Sequence, residues 1–395
     1  MQKLLALPEK VKYIISSFER EGYSAFAVGG AIRNMVLGIP VKDWDIVVTA
    51  APEITKKMFE NTIATGEAYG TITVLLDGEP FEVTTARIEE DYEDNRHPSN
   101  VEYSKSIEED LARRDFTMNA IAFDGERFID PYNGITDIEN KLIRCVGQPE
   151  ERFKEDALRI LRAFRFAATL GFVIEEETAN AAKKFATTLC TISKERIRNE
   201  MQKILLSNNP EVLEELIISG GIAHLGVIGV SKNYTFISLQ NVTQNMLLRW
   251  WAFTKITNTN IEVLCQELQF SKPFLRAMQQ TEKMFRDLQP ITVKQMKHFL
   301  KNGTPAPQED LFAAFYALDT SFIQQKKLVD QLVESKEPYQ KNMVPVSGGD
   351  LLAHGINGKQ VGEVLEFLLD TVIETPALNK HSVLIEIAKK VKRFV

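Results

Sequence analysis

The chain has 395 residues, 44% of them apolar, and a formal net charge of −7. That length exceeds one ordinary domain, so two to four folded units with sizeable cores are expected. The negative balance argues against indiscriminate nucleic-acid binding while leaving room for a local basic face, and no apolar run approaches membrane-spanning length.

Met1 to Pro8 is too short and too soon charged for a secretory signal. Residues 8–21 read as an amphipathic helix, with Val11, Ile14, Ile15 and Phe18 at helical spacing. Ser24 to Val28 is a short strand stopped by Gly29-Gly30. A helix over 31–37 follows and ends at Gly38, with Pro40 just beyond. Asp45 to Val48 is a second strand. Thr71 to Leu76 and Phe81 to Arg87 flank Asp77-Gly78-Glu79-Pro80, a hairpin signal. Residues 88–110 are polar, carry Asp91, Glu93, Asp94, Arg96 and Pro98, and read as a mobile loop. Phe116 to Phe123 is a further helix or strand of the same mixed α/β segment.

From about residue 150 strand signals fade. Residues 153–170, 175–188 and 193–206 read as helices, and 208–335 is mainly helical. Pro338, Pro345 and Gly348-Gly349 mark a break over 337–349. A last helical unit, 350–395, ends in Lys389-Lys390-Val391-Lys392-Arg393. The cysteines, Cys145, Cys190 and Cys265, are odd in number and show no metal-like spacing, which points to a reduced, cytoplasmic chain without disulfides. The scattered histidines argue against a zinc site.

The chemistry concentrates in Phe26-Ala27-Val28-Gly29-Gly30-Ala31-Ile32-Arg33 and Asp43-Trp44-Asp45-Ile46-Val47-Val48. Side chains two apart on a strand share a face, so Asp43 and Asp45 point the same way if the strand includes both. Paired carboxylates repel unless a cation sits between them or one is protonated. Hard oxygen ligands suit Mg²⁺. Gly29 and Gly30 open a strand-to-helix turn where backbone can approach a phosphate and helix N–H groups can donate to it. Arg33, one turn into that helix, can reach the same phosphates. Together these suggest two-metal phosphoryl transfer, with Asp43 and Asp45 as metal ligands. Glu82, alternating against Phe81 and Val83, is the candidate third carboxylate, and a plain exposed strand residue is the alternative. A lone Gly-Gly is usually a turn and a lone Asp-x-Asp usually a solvated loop; it is their combination on a strand–turn–helix frame that is specific. The P-loop and dinucleotide-binding glycine patterns are absent.

These residues resemble the class II branch of the nucleotidyltransferase superfamily, which holds bacterial and eukaryotic CCA-adding enzymes and bacterial poly(A) polymerases. Four further segments match its pattern in order: Arg113-Arg114-Asp115-Phe116-Thr117-Met118-Asn119-Ala120; Asp130-Pro131-Tyr132-Asn133-Gly134; Glu155-Asp156-Ala157-Leu158-Arg159-Ile160-Leu161-Arg162-Ala163-Phe164-Arg165-Phe166; and Ile192-Ser193-Lys194-Glu195-Arg196-Ile197-Arg198-Asn199-Glu200. The resemblance implies a catalytic α/β nucleotidyltransferase head over 1–145, built on a small mixed sheet with helices. An all-α neck over 146–207, body over 208–340 and tail over 341–395 would follow, the tail binding tRNA. It implies addition of C, C and A to the 3′ end of tRNA from CTP and ATP, with Mg²⁺ and no obligate protein partner. Arg114, Arg162 and Arg165 would help hold the nucleotide or its phosphates. The family usually carries Asp where this chain has Asn34, so an altered ion pair with Arg33 or Arg114 is expected.

Asp156, Arg159, Arg162 and Arg165 recur every three residues, and each step rotates about 300°, so Asp156 and Arg159 would stand side by side on one helix. A carboxylate only accepts hydrogen bonds and a guanidinium only donates. Cytosine and adenine both offer an amino donor beside a ring-nitrogen acceptor. Uracil and guanine put a carbonyl in the donor's place, against Asp156. Such an unpaired buried group costs on the order of 1–3 kcal/mol, enough to reject UTP and GTP. An ordinary amphipathic helix with a wet arginine face is the alternative that periodicity alone favours. The 88–110 loop is a candidate lever for the switch from C to A. Lys389, Lys390, Lys392 and Arg393 are candidate phosphate contacts, with a solvated helix end as the equal alternative, and Trp250 and Trp251 read as core. The rival functions are a bacterial poly(A) polymerase, a CC-only or A-only enzyme, and an RNA-binding protein with a degenerate head.

Overall fold

The computed structural model describes residues 6–66, 70–92, 98–227, 229–288 and 292–391. The chain divides into two compact units, Met1–Val227 and Ile228–Val395.

In the first unit, α1 (Glu9–Arg20) buries Val11, Ile14, Ile15 and Phe18, the face its spacing predicts. Next come β1 (Ala25–Val28), α2 (Gly30–Leu37), β2 (Asp45–Val48), α3 (Pro52–Met58), β3 (Thr62–Gly66), β4 (Thr71–Leu76) and β5 (Glu79–Thr85). Helix α2 stops because Gly38 takes a left-handed conformation, φ 70°, that a side chain disfavours. The β4–β5 hairpin turns on Asp77 and Gly78, both at positive φ, so its loop is two residues and strand pairing resumes at Glu79.

Residues 88–110 are not one loop. They hold β6 (Arg87–Tyr92) and β7 (Pro98–Tyr103), paired antiparallel as a separate two-stranded sheet, and then α4 (Ile107–Ala112). The run of charges hides this ribbon because its strands pair with each other and not with the main sheet. Glu93, Asp94 and Arg96 lie outside the described residues. The segment read as helix or strand over Phe116 to Phe123 is a 3-10 turn, Thr117–Asn119, leading into β8 (Ala122–Phe123). Then follow β9 (Phe128–Ile129), α5 (Gly134–Glu139), β10 (Leu142–Ile143), α6 (Pro149–Glu155), α7 (Leu158–Leu170), β11 (Val173–Ile174), α8 (Glu176–Phe185), α9 (Lys194–Leu205) and α10 (Leu213–Ile218).

The main sheet has seven strands in the order β3-β4-β5-β2-β1-β8-β9. Only β2 and β5 run parallel; the other pairs are antiparallel, so the sheet is mixed as expected. Strand β1 lies inside the sheet between β2 and β8, all four residues buried. A core of Phe26, Val28, Val47, Ala86, Ile107, Leu111, Ala120, Ala122 and Val146 ties the sheet to α4 and to the chain entering the helical part.

The predicted helix over 153–170 is broken. Asp156 is extended, φ −145° and ψ 103°, and separates α6 from α7. Its carboxylate accepts the Leu158 N–H at 3.0 Å, satisfying the first N–H of α7, which has no partner within the helix. The helix expected over 175–188 likewise ends at Phe185 and passes into a 3-10 turn.

The second unit is helical: α11 (Phe236–Gln240), α12 (Met246–Thr257), α13 (Ile261–Glu267), α14 (Lys272–Asp287), α15 (Val293–Leu300), α16 (Gln308–Leu318), α17 (Ile323–Ser335), α18 (Gly348–Ala353), α19 (Val361–Glu374) and α20 (His381–Val391). Trp250 and Trp251 are fully buried in α12, as read from the sequence, and the Trp251 indole donates to Glu282 at 2.9 Å. Lys389 and Lys390 are exposed on α20, while Lys392 and Arg393 fall outside the described residues. Among the described residues no helix is long and apolar enough to cross a membrane.

Candidate active site

Strand β1 leads directly into the site. Gly29 follows it with φ 68°, and a Cβ there would sit 2.8 Å from Arg114 Nη1. Glycine suits the backbone bend, and a side chain there would push the Arg114 guanidinium aside. Helix α2 starts at Gly30, and its first N–H groups have no carbonyl one turn earlier to receive them. Arg33 points back toward this bend and is 9% exposed. Its Nη1 donates to Asn119 Oδ1 at 2.6 Å, and its Nη2 and Nε donate to Asn34 Oδ1 at 2.9 and 3.2 Å. Asn34 thus engages Arg33 through an amide oxygen, a neutral contact in place of an ion pair.

The carboxylates lie beside the bend. Asp45 pairs in register with Val28 on one side and with Glu82 on the other, so Asp45 and Glu82 occupy neighbouring positions of parallel strands and point to the same face. Phe81 and Val83 bury the opposite face, the alternation read from the sequence. Strand β2 begins at Asp45, so Asp43 lies just before it and not within it. Burial, Glu82 and Asp43 push the Asp45 carboxyl above its usual range, and Arg114 partly opposes them. Mutual repulsion of this kind is what a divalent cation relieves, and an all-oxygen donor set suits a hard one. Among the described residues no three acidic, histidine or cysteine groups already close on one point.

Sharing a cavity with Asp45 is a set of arginines, each held by a partner. Asp110, fully buried in α4, accepts from Arg113 at 2.6 and 3.0 Å and from Arg114 at 3.0 and 3.3 Å. Burial works against its ionisation, but the two guanidiniums hold its carboxyl below the usual range. Asp115 accepts Arg162 Nε at 2.7 Å, Asn119 Nδ2 at 2.9 Å and the Phe116 N–H at 2.8 Å. Arg165 pairs with Glu200 at 2.5 Å.

Asp156 and Arg159 do not stand side by side on one helix. The Asp156 carboxylate pairs with Arg196 at 2.7 Å, whereas Arg159 donates to Glu155 and to the carbonyls of Arg113 at 2.9 Å and Arg152 at 3.2 Å. The helix break at Asp156 removes the three-residue step that the prediction assumed.

Gly29, Gly30, Arg33, Asp45, Arg114, Asp156, Arg159, Arg162 and Arg165 nonetheless line one cavity of about 490 Å³. Asp43 and Glu82 are not part of its lining. Seven arginines and three aspartates face the cavity, a strong positive excess in a chain of net charge −7. A cradle of this charge fits a polyanion.

Comparison with known proteins agrees. Residues 25–144 match the model of the poly A polymerase head domain, and residues 171–225 match that of a probable RNA and SrmB-binding site of polymerase A. The CCA-adding enzyme of Lactiplantibacillus plantarum is 33% identical over 97% of this chain and 96% of its own length. That of Leuconostoc citreum is 34% identical over 98% of each. The chain belongs to the CCA-adding enzyme family. It is therefore a nucleotidyltransferase, and enzymes of this family generally use divalent metal ions. The fold is similar to that of the Bacillus stearothermophilus CCA-adding enzyme, solved in complex with CTP, with TM-score 0.74, 27% identity and full coverage of both chains.

The family's Asp-Pro-Tyr-Asn-Gly segment also has a local cause here. The Asp130 carboxylate accepts the N–H groups of Gly134 and Ile135 at 2.6 and 2.9 Å, and a Cβ on Gly134 would lie 2.1 Å from the Thr117 carbonyl oxygen. Sequence reading missed Asp110, Glu200 and the Asp156 role of Arg196. Asp110 was hidden in a segment read as loop. Arg196 and Glu200 stood in a matched motif but carried no spacing signal toward their partners.

Proposed function

We propose that this chain adds C, C and A to the 3′ end of tRNA from CTP and ATP, releasing pyrophosphate, through the residues assembled around the arginine-rich cavity. The observation that carries the reading is the adjacency of two opposite features. Asp45, at the start of β2, pairs with Val28 just before the Gly29 bend and with Glu82 on the neighbouring strand, and Asp45 lines the guanidinium-rich cavity.

In this reading Asp43 and Asp45 hold magnesium, with Glu82 as third carboxylate. Bound magnesium would make the terminal tRNA hydroxyl easier to deprotonate and offset charge on the departing pyrophosphate. Gly29 and Gly30 let the triphosphate approach the start of α2, where N–H groups and Arg33 receive it. Arg114, Arg162 and Arg165 hold the nucleotide and its phosphates. Asp156 and Arg159 read the base edge: both line the cavity, and the fixed Arg196 and Glu155 partners hold an acceptor and a donor in place. A base that brings a carbonyl to Asp156 leaves two acceptors facing each other. The division into head 1–145, neck 146–207, body 208–340 and tRNA-binding tail 341–395 belongs to the same reading. So does a cytoplasmic location, which the three unpaired cysteines support.

The test offers purified protein and Mg²⁺ a tRNA lacking its last three nucleotides, with CTP and ATP separately and together. Three additions in C-C-A order are expected. A long A tail would make the chain a poly(A) polymerase, and arrest after CC or addition of A alone would make it a partial enzyme. Absence of any extension would leave an RNA-binding protein.

A further inference from the structure

One side chain in the site has no polar atom and yet touches three of its cations. The Phe166 ring lies 3.7 Å from the Arg165 guanidinium carbon, 4.9 Å from that of Arg33 and 5.5 Å from that of Arg162, measured to the ring centroid. Phe166 is 3% exposed and lines the cavity. It stands edge-on against Phe116, centroids 5.7 Å apart and planes at 86°, and Phe116 is fully buried. The ring is thus braced from the core and presented to the arginines.

We propose that Phe166 is a positioning residue for nucleotide binding, the platform that gathers Arg33, Arg162 and Arg165 into one triphosphate-holding cluster. Like charges brought this close repel. Two of the three have carboxylate partners, Asp115 for Arg162 and Glu200 for Arg165. Among the described residues Arg33 has hydrogen bonds only to amide oxygens, those of Asn34 and Asn119. With no carboxylate in direct hydrogen-bond contact and only the attraction of Asp115 nearby, it depends most on a further contact that favours a cation at that point. An aromatic face supplies this: its quadrupole attracts cations within about 6 Å of the centroid, and more strongly when water is excluded. The ring also needs no proton and carries no charge, so it concentrates positive potential without neutralising it, as a carboxylate would. Burial, Arg165 and Arg162 push the Arg33 guanidinium below its ordinary value although the Asp115 carboxylate partly opposes them, consistent with a cluster held under repulsion.

This inference rests on the proposed nucleotide-addition reading, and the test separates the two. Phe166→Leu and Phe166→Met remove the ring at similar volume, so either folded variant serves. Phe166→Tyr keeps the ring. Phe164→Leu is the control: Phe164 lies in the same helix, is equally buried at 3%, and lines a separate apolar groove with Phe172 and Val173. KM is measured for CTP on tRNA lacking CCA and for ATP on tRNA ending in CC, together with inhibition by inorganic pyrophosphate. Loss of the ring is expected to raise both KM values and the pyrophosphate inhibition constant about five- to tenfold. Under the same change kcat and the rejection of UTP stay near wild type, and Phe166→Tyr stays close to wild type throughout. Three results would overturn the proposal: unchanged KM in a folded Phe166→Leu or Phe166→Met protein, an equal rise in Phe164→Leu, or a rise confined to one nucleotide. A wild-type protein that extends no tRNA would instead defeat the underlying function.

Discussion

Asp115→Asn isolates the electrostatic link between α7 and the segment that follows α4. Asp115 is 8% exposed and sits between the Arg162 guanidinium, the Asn119 amide and the Phe116 N–H. Burial alone would push its carboxyl up. Arg162, the Asn119 hydrogen bond and Arg159 outweigh that and hold it at about 2, against an ordinary 3.8. A difference of that size corresponds to about 2–3 kcal/mol of folding stability once the group is ionised. Because the folded state lowers the value, this stability is fully present above the unfolded-state value near 4. It is lost as pH falls from there through about 2. The amide variant keeps an acceptor at nearly the same shape but cannot ionise. It should cost about 2–3 kcal/mol at neutral pH, and the cost should shrink below about pH 4. Urea-dependent hydrogen exchange, read peptide by peptide by mass spectrometry, scores α7 apart from the second compact unit. A cost under about 1 kcal/mol at neutral pH, or one equally large near pH 3, would show that the ion pair is not what holds α7 to the head.

Asp43→Ala should abolish nucleotide addition while tRNA binding, followed by filter retention, stays within a few-fold of wild type; residual turnover would refute the metal assignment. Asp156→Ala should loosen base choice more than it slows any single nucleotide, so UTP incorporation relative to CTP rises by roughly tenfold, the equivalent of one lost polar contact of about 1.4 kcal/mol. Unchanged UTP discrimination would defeat the base-edge role. Gly29→Ala should destabilise the chain by about 1–2 kcal/mol and raise KM for CTP, because a Cβ is strained at φ 68° and displaces Arg114. A thermal melt and KM both indistinguishable from wild type would refute that account.

The legible parts of the fold were those whose cause is local. The buried stripe of α1, the Gly38 stop, the β4–β5 hairpin and the alternation around Glu82 each follow from periodicity or from a residue's own backbone preference. The failures share a different cause. The β6–β7 ribbon was obscured because charged residues form strands when a partner strand is available, and that pairing leaves no periodic mark in one segment alone. The α6–α7 break falls at Asp156, whose short side chain can satisfy the N–H that starts α7, yet the regular three-residue recurrence of arginines after it suggested one continuous helix.

Read alone, the chain already displayed the groups that the proposed chemistry uses: two close carboxylates, a glycine bend before a helix, and a dense run of arginines. Only the tertiary structure decided whom each arginine serves. Arg162 meets Asp115 across 47 residues, Arg196 meets Asp156 across 40, and Arg33 reaches Asn119 across 86. Such partnerships depend on where whole helices are set against the sheet, which burial of their apolar faces governs. A guanidinium on a long flexible stem then takes whichever acceptor that packing brings within reach.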